Sequence, residues 1–157
     1  MPYHRIDLIS AFQPCATDTG DELFANGIFE FNVSRLLTAA LTHADRYLIE
    51  RIELADIPDY GAAELNAAAI VAADLSRPIV LAEIAPGQFA VIDGHHRVAK
   101  ARRNGVSALA GYRLGCPEHI RFLTSTTAYQ RYVEYWNSKV DELARVGPSM
   151  QRPRRGK

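Results

Sequence analysis

Apolar residues recur at Val33, Leu36, Leu37, Ala40, Leu41 and Ala44, a spacing of i, i+3, i+4, i+7, i+8 and i+11. That spacing lines one face of a helix, and Asn32 or Ser34 is placed to cap its start. Before it, Phe29–Phe31 reads as a short strand, and Ala16–Glu22, rich in Thr, Asp and Gly, reads as a loop. After it, Arg51-Ile52-Glu53-Leu54 alternates as a half-buried strand does. Pro58-Asp59-Tyr60-Gly61 supplies a turn, and Ala62–Leu75 predicts a second helix with Leu65, Ala69, Ile70 and Ala73 on one side. Its many alanines suit close packing against a sheet.

Two apolar runs follow, Ile79-Val80-Leu81-Ala82 and Phe89-Ala90-Val91-Ile92, with the turn residues Ala85-Pro86-Gly87-Gln88 between them. They predict a hairpin of largely buried strands. Asp93-Gly94 ends the second strand, and Val98 and Ala101 open a helical face that runs to Asn104, with Gly105 as its stop. Val106–Leu114 returns to the sheet. Beyond the Gly115-Cys116-Pro117 break, Tyr129, Tyr132, Val133, Trp136, Val140 and Leu143 mark a long amphipathic helix, whose stripe is either core or a face for a homodimer partner. No internal repeat is present. The expected fold is α/β, a small mixed sheet flanked by helices from both termini. Its divisions are an N-terminal extension with the amphipathic helix (1–48), a core (49–114), a C-terminal helical extension (115–147) and a basic tail expected to be disordered (148–157).

Composition narrows the class. A chain of 157 residues with 48% hydrophobic and 23% charged residues can bury a core unaided. Lys+Arg and Asp+Glu balance at 18 each, so net charge selects neither nucleic acid nor membrane as partner. Cys15 and Cys116 lie far apart with no clustered His, which favours free thiols over a disulfide or zinc site. The opening residues Met1–Asp7 lack the apolar run of a signal peptide, and no stretch reaches the roughly 20 apolar residues of a membrane span. A bacterial-type cytoplasmic location is therefore expected, with no membrane partner.

The chemistry concentrates in Ile92-Asp93-Gly94-His95-His96-Arg97, where a buried strand gives way to a helix. Unpaired amides and the macrodipole make a helix N-terminus attractive to anions. Gly94 permits close approach of a ligand, Arg97 offers a fork of donors for phosphate, and His95 and His96 add further donors. Asp93 is placed to cap the helix or orient an imidazole. In the plainer reading Asp93-Gly94 is only a turn, the histidines are surface residues and Arg97 pairs with a carboxylate. Adjacent histidines diverge on a helix, so no metal pair is expected. Lys100 and Arg103 share a face with His96, and either extend a positive groove or complement the helix C-terminus. Glu83, at the end of the first hairpin strand, is a candidate base or simply a solvated charge. On this reading Arg97→Ala weakens anion binding without unfolding the protein.

The run from Pro78-Ile79-Val80-Leu81 through Phe89-Ala90-Val91-Ile92-Asp93-Gly94-His95-His96-Arg97-Val98-Ala99-Lys100-Ala101 resembles the core signature of the ParB/sulfiredoxin superfamily. In that superfamily a proline precedes a strand, a hairpin follows, and a strand ends in a DG-x-x-R phosphate-binding turn. The resemblance covers about residues 49–114, and includes the strand near Ile52–Leu54 and the turn at Asp56-Ile57-Pro58. ParB-type proteins carry G-E-R-R here, bind a cytidine nucleotide and read DNA with a downstream helical module, for which Tyr112–Lys157 is short. Sulfiredoxins carry G-C-H-R; His95 stands in place of the reactive cysteine, so reductase chemistry is not expected. A third branch phosphorylates free serine and has a DGHHR-like block. The resemblance thus implies a ligand of nucleoside di- or triphosphate type (ATP, ADP or CTP, with or without Mg2+) held by Asp93, Gly94, His95, His96, Arg97 and Lys100. His95, His96 and Glu83 are the catalytic candidates if the chain is a kinase or NTPase. DNA binding or nuclease-like action on a backbone phosphate is the remaining alternative, with Arg152, Arg154, Arg155 and Lys157 as added cations.

Overall fold

The computed structural model describes residues 3–25, 29–58 and 65–150. In chain order the elements are β1 (Leu23–Ala25), β2 (Glu30–Asn32), α1 (Val33–Thr42), α2 (Ala44–Tyr47), β3 (Leu48–Glu53), α3 (Ala67–Ala72), β4 (Ile79–Ala85), β5 (Gln88–Asp93), α4 (His95–Arg103), β6 (Ala108–Leu114) and α5 (Thr126–Met150). Short 3-10 turns occupy Leu54–Asp56 and Ile120–Phe122. β1 and β2 form a separate antiparallel ribbon, while the main sheet has the order β3-β6-β4-β5. β4 is antiparallel to β5 and parallel to β6, and β3 is antiparallel to β6, so the sheet is mixed as expected.

Period-two alternation gives the central strands two apolar faces. Val80, Ala82, Ile92, Tyr112 and Leu114 point to one face, where Leu36 and Ala40 of α1 and Tyr129, Tyr132, Val133 and Trp136 of α5 cover them. Ile79, Leu81, Val91 and Leu109 point to the other, against Val98 and Ala101 of α4 with Ile52, Leu54 and Ile57. Gly111 lies in this second layer, and a Cβ there would stand 2.6 Å from Ile52 Cδ1 and 2.9 Å from Ile79 Cγ1. Tyr129, Tyr132, Val133, Trp136 and Val140 of the α5 stripe are therefore core within one chain.

The N-terminal segment, illegible as a sequence, is a strap laid along α5. The Trp136 indole N–H donates to His4 O at 2.8 Å, and the Asn137 amide both accepts from Ile6 N at 2.8 Å and donates to Ile6 O at 2.9 Å. The Tyr129 hydroxyl accepts from Ile9 N at 2.7 Å and donates to Asp7 O at 3.2 Å, while its ring stacks on Phe12 at 4.0 Å. Side chains here satisfy main-chain groups that have no strand partner.

Several boundaries differ from those read in the pattern: the strand at Arg51–Leu54 is Leu48–Glu53 with Leu54 in a 3-10 turn, and the return strand begins at Ala108 rather than Val106. α3 is shorter than Ala62–Leu75 because Asn66 caps it, accepting from Ala69 N at 2.9 Å. It ends before Asp74, whose carboxylate accepts from Ser76 N and Oγ in a local turn that competes with the helix. α5 continues through Gly147 and Pro148 to Met150, since a proline so near a helix end removes only one terminal hydrogen bond. The expected turn at 59–61, residues 62–64 of the second helix and the tail at 151–157 lie outside the described residues. No described helix is long and apolar enough to cross a membrane.

Placing valine at Gly111 overfills the layer between β6 and α4. Gly111→Val is expected to cost about 1–3 kcal/mol, read as a lower urea midpoint at unchanged m-value.

Candidate functional site

β5 delivers its last residue, Asp93, to the edge of the sheet, and the chain turns into α4 through Gly94. Gly94 has φ +108°, in the left-handed region, and a Cβ there would lie 2.6 Å from Ile79 Cγ2 and 3.3 Å from Arg97 Cζ. Only glycine suits both the torsion and the space. Its carbonyl accepts the first helical bond, from Val98 N at 3.0 Å, and no side chain caps the helix start. The helix opens on a cavity of about 320 Å³ lined by Arg77, Asp93, Gly94, His96 and Arg97, with Ala69, Ala72, Ala73 and Asp74 opposite. That volume sits at the small end of ligand clefts, roughly 300–1,000 Å³.

The structure redistributes the roles expected of the motif. Asp93 does not cap α4; its Oδ2 accepts from Arg97 Nη2 at 3.3 Å. Arg97 is buried, and its Nη1 donates to Arg77 O at 3.2 Å and, more closely, to Pro78 O. The guanidinium is thus a clip between the helix, the end of β5 and the entry to β4, and the plainer reading of Arg97, pairing with a carboxylate, is the one its geometry adopts. Lys100 is likewise committed: Nζ donates to Val71 O at 2.8 Å and Ala73 O at 2.7 Å, holding the C-terminal carbonyls of α3. Arg102 serves Leu54 O and Ile57 O in the same way, at 2.9 and 2.6 Å. Main-chain carbonyls at the ends of short helical segments need donors, and they out-compete a groove for these cations.

The two histidines diverge. His96 lines the cavity, while the His95 ring stacks on Phe24 of β1, 6.1 Å between centroids and 16° from parallel. Desolvation lowers the His95 pKa, so its imidazole is neutral near pH 7. Three residues that the motif did not indicate join the site. Arg77 lines the cavity, and its side chain has no hydrogen-bond or ion-pair partner among the described residues. Its place just before the Pro78 that opens β4 was the available signal. Asp74 adds a carboxylate held below the usual range by the Ser76 hydroxyl and amide. Glu22, at the entry to β1, has its carboxyl raised by desolvation and then by Asp93, with Arg97 and Arg77 opposing. Nothing in the sequence linked Glu22 to Asp93; only the fold brings their charges into mutual range.

Glu83 does not belong to this site. It lies four residues along β4 from Ile79, about 13 Å by strand rise. Its buried carboxylate accepts from Gly87 N at 2.8 Å and Cys116 N at 3.0 Å, tying the hairpin tip to the loop after β6. Its carbonyl accepts from the Tyr132 hydroxyl at 2.8 Å and His119 Nε2 at 2.5 Å. A carboxylate that accepts from two amides acts as a brace rather than as a free base. The His119 imidazole is fully buried with Nδ1 unpartnered, and burial lowers its pKa to about 4. Burial likewise pushes the neighbouring Cys116 thiol up to about 11, and both cysteines are free.

Comparison with protein-family models, curated proteins and solved structures finds no match for this chain. The chemistry of the site therefore rests on its own geometry.

Two outcomes follow. Arg97→Ala strands the carbonyls of residues 77 and 78 and the Asp93 carboxylate. It is expected to cost roughly 2–4 kcal/mol, a loss that Arg97→Lys, lacking the fork, restores only in part. His119 binds fewer protons folded than unfolded between its folded pKa of about 4 and the unfolded value of about 6.5. Stability is therefore complete above that window and falls as pH drops through it, by about 3 kcal/mol. His119→Gln flattens this part of the pH–stability curve; an unchanged slope in the variant counts against the assignment.

Proposed function

We propose that this protein is a nucleotide-binding protein of ParB/sulfiredoxin-like type, holding a phosphate of its ligand at the start of α4. One observation carries the reading. The Gly94 turn leaves the α4 N-terminus without a side-chain cap, facing a cavity that also holds Arg77 and His96. Oriented amides, the helix dipole and the Arg77 guanidinium supply complementary charge to a phosphate group. Arg97 acts through structure, keeping the turn in shape, and Lys100 braces the cavity wall formed by α3. A divalent ion would enter with the nucleotide.

A second reading, transfer of the terminal phosphoryl group to a small hydroxyl such as that of free serine, is favoured by Glu22. Its carboxyl has a raised pKa beside Asp93, and an accessible carboxylate of that kind is suited to accept a proton. In that step Glu22 takes the hydroxyl proton, the oxygen forms a bond to the terminal phosphorus, and the bond to the nucleotide leaving group breaks. The mixed charge of the site (Asp74, Asp93 and Glu22 beside Arg77) disfavours a nucleic-acid backbone, which calls for a continuous positive surface.

Millimolar ATP, ADP or CTP with magnesium is expected to raise the melting temperature, and Arg77→Ala to weaken that binding about tenfold. If none of these nucleotides shifts the melting curve at any concentration up to that range, the ligand reading fails. Product analysis with free serine separates binder from kinase. Under the second reading Glu22→Gln retains nucleotide binding and loses phosphoserine formation.

A further inference from the structure

Asn32 is fully buried, and both polar atoms of its amide are hydrogen-bonded. Its Oδ1 caps α1, accepting from Arg35 N at 3.0 Å, while Nδ2 donates to Ala16 O at 3.1 Å and to Asp21 Oδ2 at 2.9 Å. One side chain therefore starts a helix and pins the preceding loop across it. Asp21 Oδ2 also accepts from Asp18 N at 2.8 Å, which closes the loop upon itself.

The next residue is Glu22, and its main chain is wholly consumed by the start of α1. Its carbonyl accepts from Val33 N at 2.8 Å and Ser34 N at 3.3 Å, and its N–H donates to Ser34 Oγ at 2.8 Å. Two residues later the Phe24 ring lies on His95, the first residue of α4. Glu22 is thus anchored on one side by α1 and on the other by a ring stack at the phosphate site. The charges of Asp93, Arg97 and Arg77 act on its carboxyl.

We infer that Ser34, backed by Asn32, is a positioning residue that carries Glu22 to the phosphate site at Gly94. The inference rests on the reading of that site as the ligand site, but the placement itself can be measured without ligand. A helix start remote from the motif in sequence thereby becomes part of the site's support. Removing the Ser34 hydroxyl frees the Glu22 amide while leaving α1 its Asn32 cap.

The test follows the Glu22 carboxyl by carbon NMR in protein labelled at glutamate carboxyls, with Glu22→Gln assigning the signal. In the intact protein Glu22 is expected to titrate above the ordinary glutamate value of about 4.3, because burial and the Asp93 charge raise it. Ser34→Ala is expected to return the midpoint toward that value, and Ser34→Thr to restore it. Thr38→Ala removes a hydroxyl that bonds only within α1, to Ser34 O at 3.0 Å, and is expected to change nothing. Asn32→Asp, which keeps a cap oxygen but replaces the donor to Asp21, is expected to act in the direction of Ser34→Ala. A Glu22 midpoint unmoved in both Ser34→Ala and Asn32→Asp overturns the inference. The same samples are scanned for melting with ATP, ADP and CTP. A midpoint that moves as expected, in a protein that binds none of these nucleotides, leaves the positioning role standing and removes the ligand reading alone.

Discussion

The fold turns on a buried guanidinium. Arg97 rises from the first turn of α4 and reaches back to the carbonyls of Arg77 and Pro78 and to the carboxylate of Asp93. Those three groups mark the entry to β4, the exit of β5 and the start of the helix, so one side chain fastens the crossing point of the central hairpin. The geometry requires Gly94 beneath it, because a Cβ there would collide with Ile79 and crowd the guanidinium carbon. A charge this enclosed is tolerable only with its donors matched to fixed acceptors. The same demand for matched donors takes Lys100 to the carbonyls of α3 and Arg102 to those at Leu54 and Ile57. A motif rich in cations therefore presents few of them to a ligand. Under the proposed reading a phosphate would be met instead by main-chain amides, the helix dipole, His96 and Arg77.

The opposite end of the sheet is organised by another charge. Glu83 braces the hairpin tip and the loop after β6 with its carboxylate, and its carbonyl receives the Tyr132 hydroxyl and the His119 ring. This network links β4 to α5 through the core, while α5 holds the N-terminal strap on its outer side through Tyr129, Trp136 and Asn137. The strap leads onward to the loop pinned by Asn32 and so to Glu22. The C-terminal helix thus seats the strap, and the chain that continues from it lays Phe24 on His95 at the start of α4.

How much of this was legible depends on the range of the interaction involved. Local rules placed the helix after Asn32, the hairpin with its Pro86-Gly87 tip, the Gly94 turn and the Gly105 stop, because each follows from neighbours within a few residues. Periodicity failed at α3, where alanines fit a helix throughout but Asn66 and Asp74 bond locally and shorten it. It failed too for Glu83, whose partners Gly87 and Cys116 meet only when the sheet is assembled. The stripe on α5 was visible, yet whether it covered a sheet or a second copy depended on the strands available to it.

By itself the sequence determined the turns at Pro86-Gly87 and Gly105, which faces are apolar and that a glycine breaks strand from helix ahead of a cationic block, since torsional preference and burial pattern are written residue by residue. Tertiary structure alone decided which cations are spent on carbonyls, that residues 4–12 lie along α5 and 16–22 at the start of α1, and that the charges of Glu22 and Asp93 act on one another. Those outcomes depend on donors and acceptors far apart in the chain becoming neighbours, and hydrogen-bond satisfaction in a packed interior is a property of the assembled whole.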